Sequence, residues 1–392
     1  MILRALFAVL ALSLPAQAEM QIQSVTSPGG ITAWLVEDHN IPFTALEIQF
    51  KGGTSLDTPD KRGAVNLMTA LIEEGAADMD SRAFAEARDS LAANFSFDAG
   101  TDSIGVSASF LTENRDSAIA LLQQALNAPR FDQDAVDRVR EQVLSMLRSD
   151  EKDPDTIGSQ TFDALAFGDH PYGSSGDGTL ATVAALTRDD ILAAHKGALA
   201  RDRIFVAAAG DITAAELGPL LDQLLGDLPA TGAPLPPRAD WRLPPGVTVK
   251  DFPTPQSSVL FGHVGIPRDD PDFFAAFILN EALGGGRFTA RLMSEVREKR
   301  GLTYGIGSYL VNMDQADMYL GQFSASNDKV AEAIQVLHDE WAKIGAEGIT
   351  EEELATTKTY LTGPYPLLFD GNGPTPSILI EMQTQGLPIG YA

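Results

Sequence analysis

Residues Gly284–Tyr304 read GGGRFTARLMSEVREKRGLTY. Three glycines open a helix-length run, Phe288–Arg300. It carries Phe288, Leu292, Met293 and Val296 on one side and Arg287, Arg291, Glu295, Arg297, Glu298, Lys299 and Arg300 around the rest. Gly301 stops the helix, because glycine takes the left-handed backbone of a C-terminal cap without steric cost, and Thr303–Leu310 continues as a β-rich run. Arg297 falls late on the helix and Tyr304 at the start of the strand. The spacing predicts a corner holding a rigid guanidinium fork and a phenol, both able to donate to a peptide carbonyl. Without its context the run is an amphipathic helix with a solvated charged face.

Outward from this run the chain repeats itself. In the second half, Ser257–Gly265 reads as a strand, Ile266–Pro271 as a polar loop, and Phe273–Leu283 and Phe288–Arg300 as helices. Thr303–Asn312 and Met318–Ser324 follow as paired strands, then helices at Asp328–Ile344 and Thr350–Thr362. The first half gives the same series. Strand Ala45–Lys51 and loop Gly52–Lys61 lead to helices Gly63–Glu74 and Ser81–Asn94. Strands Phe95–Asp98 and Ser103–Phe110 come next, then helices Asn114–Ala128 and Asp132–Ser149. Phe110 and Phe323 end equivalent strands, so the repeat is domain-sized, too long for a solenoid. Two similar α+β domains are expected, each an antiparallel-rich sheet packed with helices. Residues 19–227 form the first and 246–392 the second. The proline-rich stretch Leu228–Pro245 joins them as a semi-rigid linker, and Arg203–Gly210 closes the first domain as a strand.

The run at 284–304 closely resembles the arginine–tyrosine motif in the C-terminal half of M16 metallopeptidases, the insulinase, pitrilysin and mitochondrial-processing-peptidase-like family. Most of the chain after its leader can be read against that family. The resemblance implies an M16-like metallohydrolase fold of two similar domains. It also implies a last helix and strand matching Asp189–Gly210, for which the second domain has no counterpart, so that domain is expected to be incomplete.

Catalytic members of the family carry His-x-x-Glu-His on the first helix after the first strand and loop. Two histidines at i and i+4 share a helix face and bind zinc, the glutamate acts as general base, and a later glutamate completes the ligand set. Here the matching positions hold Asn66, Thr69, Ala70 and Met146. Asparagine is a poor zinc ligand, alanine has no donor atom, threonine is no base near neutral pH, and a thioether is too soft to prefer zinc. His39, His170, His195, His263 and His338 are scattered and none has a second ligand in helical register. No metal site and no cofactor are expected in this chain.

The resemblance therefore implies a non-catalytic, substrate-binding subunit of a heteromeric M16 zinc peptidase. Arg297 and Tyr304 would bind substrate main chain and steady an oxyanion beside zinc held by a partner with an intact His-x-x-Glu-His. The substrate would be a peptide or unfolded protein. The alternative is a non-proteolytic binding or assembly protein of the same fold.

Residues 1–18, MILRALFAVLALSLPAQA, have one basic residue, an apolar stretch and a small-x-small ending, the pattern of a secretory signal peptide. Periplasmic or secreted localisation is expected, with no membrane span. Zero cysteines exclude disulfides and thiolate metal sites. The formal charge of −26 opposes binding to nucleic acid or anionic lipid.

Overall fold

The computed structural model describes residues 21–364 and 371–391. The leader expected at 1–18 lies outside them. The first domain is built on a six-stranded sheet of β1 (Ile22–Thr26), β2 (Thr32–Glu37), β3 (Phe43–Lys51), β4 (Asn94–Ala99), β5 (Ser103–Leu111) and β6 (Ile204–Gly210). Their order is β1-β2-β6-β3-β5-β4, antiparallel except where β2 runs parallel to β6. Period-two alternation fixes the register. Ile104, Val106, Ala108 and Phe110 of β5 all point into the core, because a one-residue slip would turn the whole apolar set to the other face. Helices α1 (Ala64–Ala70), α2 (Ser81–Ser90), α3 (Arg115–Asn127) and α4 (Gln133–Asp150) share that core. α3 contributes Ala118, Ile119, Leu122, Ala125 and Leu126, spaced three and four apart as one helical face requires.

The second domain repeats this plan with three strands among the described residues: β7 (Gln256–Val264), β8 (Ile306–Asn312) and β9 (Asp317–Ser326), in the order β8-β9-β7 and antiparallel throughout. Phe323 of β9 is buried as Phe110 of β5 is. Among the described residues β7 pairs with β9 alone, whereas its counterpart β3 pairs on both sides, with β5 and with β6.

The strand-and-helix skeleton agrees with the sequence reading at its centre and departs from it at helix ends. α1 stops at Ala70 rather than Glu74. Leu71 and Ile72 donate only to the carbonyls three residues back, and the Thr69 hydroxyl bonds back to Val65 O, tightening the end into turns. The run expected as a helix from Phe288 is helical only from residue 291, with a π-turn at Met293–Glu298. Its glycines serve the strand beside it. The Ser308 amide donates to Gly284 O at 2.8 Å, and a Cβ on Gly284 would lie 2.0 Å from Ser308 Oγ.

Elements without a strong local signature were missed: β1, β2, α5 (Pro154–Phe167), α8 (Ala214–Leu225) and α12 (Thr375–Thr384). The helices between α5 and α8 are α6 (Leu180–Ala185) and α7 (Arg188–Ala198). Those of the second domain before α12 are α9 (Phe273–Leu283), α10 (Val330–Glu347) and α11 (Glu351–Thr362). α5 and α12 are exchanged between the domains. α5 belongs to the first domain in sequence, yet Phe162, Ala166 and Phe167 pack with Met318, Leu260 and Leu320 of the second sheet. α12 belongs to the second domain in sequence, yet Leu379, Ile380 and Met382 pack on Ala207, Trp34, Val36 and Phe205 of the first, and Gln383 donates to Val206 O. Each helix is amphipathic towards a sheet its own domain does not supply.

The linker is less free than its prolines suggest. Leu228 is buried, Ala233 donates to Gly197 O, and Arg242 donates to Ala166 O. Trp241 stands edge-on to Phe162 and Phe167, with centroids 6.0 and 5.6 Å away. Leu235 is exposed within it, and Val247 and Val249 project further just beyond it.

Candidate functional site

The four positions matched to a metal site are parts of ordinary structure. Asn66 on α1 donates to Asp177 Oδ1 at 3.0 Å, and the Thr69 hydroxyl is used up on Val65 O at 2.9 Å. Ala70 and Met146, on α1 and α4, are exposed. The two helices pack together, but they bring an amide, a hydroxyl, a methyl group and a thioether to the place where imidazoles and carboxylates would be needed. Among the described residues no three His, Cys, Asp or Glu side chains are grouped so as to hold a metal ion. The residues present do not fit zinc. The nearby carboxylates are engaged elsewhere: Glu73 with Arg88 at 2.7 Å, and Glu74 with both terminal nitrogens of Arg138 at 2.9 and 2.6 Å.

The buried base of this corner is Asp57, which accepts the amides of Gly63 and Val65 at 2.9 and 3.1 Å. Burial outweighs those bonds and pushes its carboxyl up to about 6. Arg62 is buried beside it, donating to the carbonyls of Thr54, Pro171 and Ser174. His195 is buried against Leu126 O, and its pKa is lowered chiefly by that burial.

The corner at 291–304 is organised differently. Its cations are tied down one by one, with a single exception. Arg287 donates to Glu281 O and Thr357 Oγ1, and its guanidinium lies over the Tyr360 ring. Arg291 grips Glu353 with two nitrogens at 2.5 and 2.7 Å and also reaches Gly348 O, fixing this segment to α11. Hydrogen bonding to Arg291 is the largest cause holding the Glu353 carboxyl down at about 2. Lys299 and Arg300 both pair with Glu295, at 2.5 and 2.7 Å.

Arg297 is the exception. Among the described residues it makes no ion pair and no side-chain hydrogen bond; its guanidinium lies over the Phe288 ring, 4.5 Å from the centroid. Tyr304 is 89% exposed and its phenol has no partner among the described residues. Its backbone is nonetheless fixed. Gly301 takes φ +60 and donates to Arg297 O, Leu302 donates to Val296 O, and the Thr303 hydroxyl donates to Ser324 O while accepting the Gly305 amide. The structure places Tyr304 in the loop just before β8, not in the strand, and among the described residues no hydrogen bond or cation–π contact joins it to Arg297.

Tyr304 stands on the wall of a cleft of about 580 Å³. Its floor is the face of the second sheet, with Gln256, Ser258, Gln322, Ser324 and Tyr309. Its opposite wall is the start of α5, with Asp155 and Ser159. The cleft exists because α5 crosses from the first domain onto β7, so no local pattern marks it. Tyr172, in the loop His170–Gly173, is a buried strut beside the same crossing. It donates to Asp102 Oδ1 and accepts the Gln315 amide of the second domain.

Comparison with known proteins gives one family across the chain. The model for "Insulinase (Peptidase family M16)" matches residues 33–179, and that for "Peptidase M16 inactive domain" matches residues 185–361. A non-peptidase homolog, YmxG of Helicobacter pylori, is 26% identical over 335 residues, spanning 84% of this chain and 77% of that protein. An uncharacterized zinc protease of Streptomyces coelicolor is 26% identical over 362 residues, spanning 90% and 78%. The crystal structure of a peptidase M16 inactive domain from Pseudomonas fluorescens superposes with a TM-score of 0.86 at 28% identity, over 95% of this chain and 90% of that one.

Proposed function

We infer that this chain, which belongs to the M16 peptidase family and lacks the family's zinc-binding residues, is the non-catalytic, substrate-binding subunit of a heteromeric M16 zinc peptidase. The observation that carries the reading is the contrast within one run. Arg287, Arg291, Lys299 and Arg300 are bound by their own fold, while Arg297 and Tyr304 hold unspent donors on a fixed backbone. Structural decay would have no reason to spare those two. The partner supplies the metal chemistry; Arg297 and Tyr304 hold substrate main chain and donate to the oxygen on which charge develops. The leader pattern at 1–18 supports action in the periplasm or outside the cell.

The test is a reconstituted complex with a zinc-bearing M16 subunit. Arg297→Ala or Tyr304→Phe should lower kcat by about 10²–10³, the usual cost of removing one oxyanion donor, with assembly and the partner's zinc unchanged. Arg300→Ala is the control, since Glu295 already holds it. Equal, small effects at all three positions overturn the reading. The non-peptidase name of the Helicobacter pylori relative favours a binding or assembly protein as the second reading, and that outcome would select it.

A further inference from the structure

We propose that the cleft between α5 and the second sheet selects an extended peptide carrying a lysine or arginine side chain, with Asp155 as the specificity-determining residue. The proposal rests on the substrate-binding reading above and names what that site prefers. Asp155 is the one fully charged side chain among the residues lining the cleft; the others offer hydroxyls, amides, phenols and apolar groups. It is exposed on the first turn of α5, and the Ser258 hydroxyl donates to one of its carboxylate oxygens. The second oxygen has no partner among the described residues, and Asp155 makes no ion pair there.

A carboxylate so placed is oriented by one hydrogen bond and otherwise free. Ser258 comes from the second domain and Asp155 from the first, so the orientation exists only when the domains are docked. Tyr309, exposed on the floor of the cleft, and Tyr304 on its wall supply aromatic surface for the methylene stem of a basic side chain. Ser159, Gln256, Gln322 and Ser324 supply donors and acceptors suited to peptide main chain. The volume is of the size that holds a few residues of an extended chain. A net charge of −26 adds a long-range field that draws a cationic segment in and repels an acidic one.

The experiment measures binding of two labelled octapeptides to the full chain by fluorescence anisotropy, alone and with the zinc-bearing partner. The peptides are identical except that one carries arginine and the other citrulline, which keeps the shape and loses the charge. The arginine peptide should bind about fivefold tighter, the upper range for a solvent-accessible ion pair. Asp155→Asn should remove most of the difference by weakening the arginine peptide, leaving only the small share that the net charge supplies. Ser258→Ala, which leaves the carboxylate in place, should keep part of it. Should Asp155→Asn fail to fold, the wild-type chain decides: the preference must shrink as salt is raised from about 0.05 to 0.5 M. Equal affinities for the two peptides, or a preference that Asp155→Asn leaves intact, overturn this proposal while the substrate-binding reading stands. Binding of neither peptide, with or without the partner, overturns both.

Discussion

The corner at 66–70 and the corner at 291–304 began from comparable material, a short helix beside a sheet, and were finished in opposite ways. In the first, every polar side chain is spent on structure: Asn66 on Asp177, Thr69 on Val65, Glu73 on Arg88, Glu74 on Arg138. In the second, the surrounding cations are held by partners while two donors are not. Arg291 and Glu353 lock the segment, Glu295 absorbs Lys299 and Arg300, and Arg297 and Tyr304 stay available. The difference teaches that a functional surface is recognised less by which residues are present than by which ones the fold leaves without a partner.

The largest expected effect is all-or-none. The isolated chain should hold no stoichiometric zinc and cleave no peptide, since the groups at Asn66, Thr69, Ala70 and Met146 offer neither ligand set nor base. Metal analysis after long dialysis, with a peptidase assay, checks this. About one tightly held zinc per chain with chelator-sensitive cleavage would erase the contrast between the two corners.

How much of this was readable beforehand differs between the corners too. The helix–strand turn at Gly301 and the twofold domain plan follow from local pattern, because helix faces, strand alternation and glycine conformations are written in neighbouring residues, whereas the degenerate positions are legible only through the family resemblance. The cleft was not readable. It depends on α5 crossing to β7, and nothing in Pro154–Phe167 says which sheet its apolar face will meet. Residue pattern alone does not distinguish Arg291 from Arg297, which only the family resemblance singles out. Both sit on one charged run, and only the tertiary placement of Glu353 makes one structural and leaves the other free.

Next in size is the lock itself. Arg291→Ala leaves Glu353 half-buried without its partner and should destabilise the second domain by about 2–3 kcal/mol, read as a lowered denaturation midpoint. Its pH signature has a fixed sign. The Glu353 carboxyl is lower in the folded chain, at about 2, than the usual carboxylate value. The pair's contribution is therefore fully present above the ordinary carboxylate range and fades as pH falls towards 2. In Glu353→Gln that part of the acid dependence should disappear; an unchanged acid limb would mean the pair is not what holds the corner.

Asp57 has the opposite sign and a smaller expected effect. Its carboxyl is raised to about 6 by burial, so the stability linked to it is complete below the ordinary aspartate range and is lost as pH rises through about 6. Asp57→Asn keeps an acceptor for the start of α1 and cannot ionise. Whatever its overall offset, the fall in thermal midpoint between about pH 5 and 7 should become shallower than in the parent chain. A steeper or equal fall would place the titrating group elsewhere, with Asp163, also raised to about 6 by burial, the first to examine.

The smallest effect is expected where the sequence suggests the greatest freedom. We place the domain boundary within Leu228–Pro245, yet Leu228, Ala233, Trp241 and Arg242 are held against the first domain at points along an otherwise partly exposed stretch, and the chain is continuously exposed from Pro244 to Asp251. Limited proteolysis should therefore cut first between Pro244 and Asp251, because cleavage needs an exposed stretch with few tertiary contacts. The nick should change little else. α5 remains seated on the second sheet and α12 on the first, so each fragment carries a helix that the other needs to cover its apolar face. The two fragments should elute together on size exclusion, with a thermal midpoint within about 2 °C of the intact chain, since no buried contact is lost. Separation of the fragments after one cut would show that the exchanged helices contribute little and that the linker holds the domains together. The cleft between them, and with it the orientation of Asp155 by Ser258, would then depend on a tether rather than on packing.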